Sequence, residues 1–202
     1  MLFKTEMPKE AKDKILYAGL VLFTTEGFKN TSVLDVVEMA RVSKTTFYQH
    51  FSSKEDLMAN MFAALFKEII EEIKLVIDQE KRTAYKAYVG IRRYIEICST
   101  DMKVANLILV ESVGVSQEVE RVRREALRNF AQLMFQTVHR LLPNNVSEQE
   151  MRIVSQAMVG AVNEVIIQNY NNLDGEESLF QFDDLARLLN RVVIAAFVNL
   201  AQ

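Results

Sequence analysis

Between Ser43 and Lys54 there is no acidic residue, although Asp and Glu total 27 in the 202-residue chain. The same stretch carries Lys44, Thr45, Thr46, Tyr48, Gln49, His50 and Lys54. Ammonium groups, hydroxyls, an amide and an imidazole are the donors that duplex phosphates and base edges accept. Catalytic chemistry has no comparable set. There is no nucleophile paired with a base, no glycine-rich phosphate loop, and only two histidines. The single Cys98 cannot form an internal disulfide, and no Cys/His cluster has metal-ligand spacing. The expectation is a binding protein rather than an enzyme, with no metal and no cofactor.

Short helices must position those donors. Pro8 suits a first helical turn, and Ala11, Ile15, Ala18, Leu22 and Phe23 follow at helical spacing as one apolar face. Gly27 ends that helix, with Phe28 placed to touch Phe23. Ser32 and Asp35 form a capping-box start for a helix through Ala40. The turn Arg41-Val42-Ser43 leads into a second short helix, Lys44 to His50, and Ser53 caps a long one running past Ile77. A helix-turn-helix needs a small residue and apolar plugs at its crossing. Ala40 is the small residue, and Val36, Val37, Val42 and Phe47 are the plugs.

Six glycines and two prolines are few for this length and favour helix throughout. The net charge of −3 neither requires nor excludes nucleic acid, because a local patch suffices to dock phosphate. The N-terminus does not read as a signal peptide, and no run approaches the roughly 20 apolar residues of a membrane span. A cytoplasmic protein without a membrane partner is expected.

From Leu22-Phe23 through Gly27-Phe28, Thr31-Ser32-Val33, Val36-Val37 and Ala40 to Phe51, then Ser53 to Leu57, the chain resembles the TetR family of bacterial transcriptional regulators. The resemblance is strongest over residues 11–57. Arg41 stands where the turn often has Gly, and Thr45 or Thr46 where a Gly often opens the recognition helix. The resemblance implies a fold and a set of roles. The fold is all-α, with a helix-turn-helix DNA-binding domain over residues 1–53 and a helical ligand-binding and dimerisation domain over 54–202. Thr31 or Ser32 would bond a phosphate, and Lys44, Thr45, Thr46 and Gln49 would face bases or flanking phosphates. Tyr48 and His50 would touch backbone phosphate, and Lys54 would add charge at a helix N-terminus.

Beyond Leu57 the helical pattern carries the reading. Helices are expected over Thr83–Cys98, Asp101–Val113, Ser116–Leu142, Ser147–Asn171 and Asp183–Leu200, with breaks at Pro143-Asn144-Asn145 and Asn172-Leu173-Asp174-Gly175. The last two helices, about 147–171 and 183–200, are apolar nearly all round. A helix of that kind must be covered on more than one side, which a homodimer would do. Polar residues on apolar faces are the candidates for an effector pocket: Glu111, Asn163, Asn106, Gln168 and His139. Glu111 is expected to point inward with Leu107 and Ile108. The basic run Arg121, Arg123, Arg124 and Arg128 reads as a solvated face interleaved with Glu120 and Glu125, or as a contact for an acidic ligand such as a coenzyme A thioester. The resulting function is a repressor released from a palindromic operator by a small apolar or amphipathic effector. The alternatives are a helical ligand carrier and an effector-independent DNA-binding activator.

Overall fold

The computed structural model describes residues 6–139, 142, 146–171 and 182–201, all of which form helices or short connections. The helices are α1 Ala11–Thr25, α2 Val33–Ala40, α3 Lys44–His50, α4 Lys54–Gln79, α5 Lys86–Thr100, α6 Met102–Asn106, α7 Gln117–His139, α8 Glu148–Asn171 and α9 Phe182–Val198. No strand occurs among the described residues. The expected breaks at Pro143–Asn145 and Asn172–Gly175, and Leu141, lie outside them.

Two compact units divide the chain. One comprises residues up to Glu68 together with Lys103–Arg124, and the other Ile69–Met102 together with residues from Glu125 onward. In the first unit α1, α2 and α3 pack on one another, burying Ile15, Ala18, Phe23, Val36, Val37, Ala40 and Phe47. Gly19 permits a close approach: a Cβ there would lie 3.0 Å from Leu57 Cδ2. The turn after α1 follows its sequence signals. Gly27 is left-handed (φ 83°), and the Phe23 and Phe28 rings meet edge-on at 5.1 Å. Ser32 and Asp35 form the reciprocal capping box, with the Ser32 amide donating to Asp35 Oδ2 at 2.7 Å. That amide and the Ser32 hydroxyl hold the Asp35 carboxyl below its ordinary range.

Residues 101–113 do not form one regular helix. After α6, Leu107–Glu111 make a π turn closed by Ser112 N–H donating to Leu107 O at 3.1 Å, a five-residue step. The inward position therefore passes to Ser112, which is fully buried. Glu111 is exposed and accepts from Asn106 Nδ2 at 2.8 Å. The expectation that Glu111 points inward fails because it assumed 3.6 residues per turn through a segment that is wider.

In the second unit α9 packs on α5 and α8, burying Ile91, Ile95, Leu189, Val193 and Phe197. Gly90 seats α5 against the end of α4, since a Cβ there would come within 2.9 Å of Ile77 Cδ1. Lys86 Nζ donates to Ile77 O at 2.6 Å, giving that helix end a cation where its dipole favours one. Arg93 pairs with both Glu72 and Glu96.

Candidate functional site

Helix α3 is seven residues long, too short to persist alone, so capping and packing must hold it. Ser43 caps it by accepting from the Thr46 amide at 3.0 Å. Phe47 anchors it, fully buried between the Tyr48 ring at 5.2 Å and the Phe51 ring at 5.9 Å. At about 100° per residue, Lys44, Tyr48, Thr45 and Gln49 then fall within roughly 140° of the helix circumference. All four are exposed, Tyr48 by 57%. This stripe presents one cation, two hydroxyls and an amide, with an aromatic ring among them. His50 is exposed too, but lies about 100° further round than Gln49.

Three expected contacts are otherwise engaged. Thr46 is half-buried, and its hydroxyl sits 2.9 Å from Ser43 Oγ. Thr31 is only 3% exposed, and its hydroxyl donates to Gly27 O at 2.9 Å. Lys54 turns toward its own protein: Nζ donates to Phe28 O at 2.6 Å and Thr31 O at 2.7 Å, and lies 4.2 Å from the Phe28 ring centre. Ser32 is exposed, with its hydroxyl on Asp35. Arg41 closes α2 in a left-handed conformation (φ 54°, ψ 49°), the geometry in which glycine is more often found. Its amide nevertheless bonds Glu38 O, which keeps the helix end satisfied.

The second unit contains a cavity. Ile73 and Ile77 from α4, Tyr94 from α5, Phe130 from α7, and Val159 and Asn163 from α8 are among its walls. About 70 Å³ is open to the centres of water-sized molecules. The lining is apolar except for Tyr94, Thr137 and Asn163. Thr137 donates its hydroxyl to Leu133 O at 2.8 Å, and Tyr94 donates to Asn163 Oδ1 at 2.7 Å.

Of the five residues read as pocket candidates, Asn163 stands at this cavity. Glu111 and Asn106 pair on the surface of the other unit. Gln168 is exposed and donates to Glu164 at 2.8 Å. His139 is exposed, 3.9 Å from Glu148 and against the Phe135 ring. Tyr94 escaped the sequence reading, although a signal was present. It falls four after Gly90 and three after Ile91, a polar-tipped residue on the buried face of α5.

Residues 15–61 match the family model described as bacterial regulatory proteins, tetR family. Over that stretch the chain is similar to the TetR family. Among curated TetR-family relatives, the HTH-type transcriptional regulator YuxN of Bacillus subtilis is 28% identical over 127 residues. That match takes in 59% of this chain and 43% of YuxN, so the chain spans less than half of that relative's length. The fold is shared with two solved regulators. FadR of Bacillus halodurans superposes with a TM-score of 0.77 at 18% identity, over 94% of this chain and 97% of that one. FadR of Bacillus subtilis, in complex with stearoyl-CoA, gives 0.76 at 16% identity, over 91% and 97%. Members of this TetR-like group are transcriptional regulators, some of them ligand-responsive.

Proposed function

We propose that this protein is a repressor which binds a palindromic operator as a homodimer and leaves it when an apolar or amphipathic effector fills the cavity of the second unit. The exposed stripe of Lys44, Thr45, Tyr48 and Gln49 on a capped, anchored short helix carries the reading. Such a helix lies in a major groove, and its hydroxyl, amide and ammonium groups suit base edges and phosphates. DNA reading belongs to residues 1–53, and effector binding with dimerisation to 54–202.

Exposed apolar residues on the last two helices support dimerisation. Ile153 and Val165 on α8, and Leu188, Val192 and Val198 on α9, lie at the surface of the single chain. Against a second copy they would form an isologous helical interface. Two-fold symmetry then sets half-sites about 34–36 Å apart, or a multiple of that turn. The effector class follows from a lining rich in Ile, Val, Leu and Phe. FadR of Bacillus subtilis holds stearoyl-CoA, and an acyl chain is a suitable occupant here as well. An effector that favours the conformer with wrongly spaced recognition helices lowers operator affinity by mass action.

Selection of bound duplexes from a random pool, followed by the salt dependence of the winners' affinity, tests the proposal. An enriched palindrome with a steep salt slope is expected. Absence of enrichment from a folded dimer would refute it.

A further inference from the structure

The cavity wall holds a hydrogen-bonded pair. Tyr94 and Asn163 lie on α5 and α8, 69 residues apart, and the phenol donates to Asn163 Oδ1 at 2.7 Å. A phenol can donate or accept, whereas an amide oxygen only accepts, so in this pair the phenol's hydrogen lies on Asn163 Oδ1. The amide oxygen is engaged, and the amide nitrogen, with two hydrogens, is the end left to meet an occupant.

The remaining wall offers no competitor. Thr137 has its hydrogen on Leu133 O, and among the described residues no Asp, Glu, Lys, Arg or His lines the cavity. A carboxylate or ammonium group brought inside would lose its hydration without gaining an ionic partner from these walls.

We propose that this cavity selects an effector whose buried portion is uncharged and apolar apart from one hydrogen-bond acceptor, such as an ester, thioester or ketone carbonyl, received by the Asn163 side-chain N–H. The proposal rests on the effector reading above and adds its chemistry. Asn163 is the specificity residue, and Tyr94 is the positioning residue that holds its amide in the donating orientation. Any charged group of the effector stays outside the cavity.

The full-length protein, without DNA, is titrated at neutral pH with methyl decanoate, decane and decanoate, each displacing the neutral fluorophore N-phenyl-1-naphthylamine. Methyl decanoate is expected to bind about tenfold more tightly than decane, the value of one neutral hydrogen bond, and decanoate more weakly than the ester. Asn163→Leu should abolish the ester-over-alkane preference while retaining decane. Asn163→Asp should weaken the ester and favour 1-decanol, which can donate. Equal binding of decanoate and its ester overturns the proposal, as does an unchanged ester-to-alkane ratio in Asn163→Leu. The wild-type series stands even if a variant fails to fold. Displacement by none of the three overturns the inference together with the effector reading. Selective ester binding that leaves operator affinity unchanged upholds the specificity and refutes the repressor mechanism.

Discussion

Lys54→Met separates two roles open to one lysine, bracing its own protein and binding phosphate. In the structure Nζ donates to Phe28 O at 2.6 Å and Thr31 O at 2.7 Å, with the Phe28 ring 4.2 Å away. These bonds tie the first turn of α4 to the loop joining α1 and α2, the loop that sets the start of the helix-turn-helix. A hydrogen bond from a charged donor is worth about 1.5–3 kcal/mol, and a partly solvated cation–π contact about 0.5–1 kcal/mol. Lys54 is only half-buried and water can replace part of what is lost, so the net cost falls below the sum of these contacts, at about 2–3 kcal/mol. Methionine keeps the apolar stem, so the change isolates the ammonium group. For a chain of this size the melting temperature should fall by roughly 5–10 °C, read by circular dichroism or calorimetry. The salt slope of operator binding should stay the same, because a charge committed to carbonyls releases no counterion from DNA. If instead stability is unchanged and the slope drops by about one, Lys54 serves phosphate and the reasoning fails.

Three other outcomes are expected. Lys44→Ala with Tyr48→Ala should leave the melting temperature within about 2 °C of wild type, both being exposed, and reduce operator affinity at least tenfold; retained affinity in a mobility-shift assay would contradict the contact stripe. Arg41→Gly should raise the melting temperature by about 2–4 °C, since a left-handed non-glycine residue costs about 1 kcal/mol or slightly more; a loss of stability would mean that the Arg41 side chain contributes more than its backbone costs. Glu80→Gln should destabilise the protein at neutral pH, because the Arg82 guanidinium and amide hold the Glu80 carboxyl down at about 2. With the folded value lowered, that contribution is present above the ordinary value of 4.5 and disappears as pH falls from there toward 2. Thermal melts of both proteins should therefore converge across that window, and a constant difference would assign the effect elsewhere.

Much of the first unit was legible because its signals are local. A helix cap spans three residues and a glycine stop spans one, so Ser32 with Asp35, Ser43, Gly27 and the Phe23–Phe28 contact announce where α1, α2 and α3 begin and end. The buried plugs Val36, Val37 and Phe47 follow from a 3.6-residue period in the same way. Periodicity misled where the backbone departs from that period. The π turn at Leu107–Glu111 places Ser112 inside and Glu111 outside, and composition gives no warning of it.

By itself the sequence determined an all-helical chain, the helix-turn-helix and the stripe of donors on its second helix, since each depends on residues within a few positions of one another. Only the tertiary structure decided what the polar groups do. Lys54 is claimed by carbonyls 23 and 26 residues earlier, and Asn163 meets a phenol 69 residues before it. A hydrogen bond is satisfied by whichever partner the packed chain brings within reach, and spacing along the chain does not encode that choice.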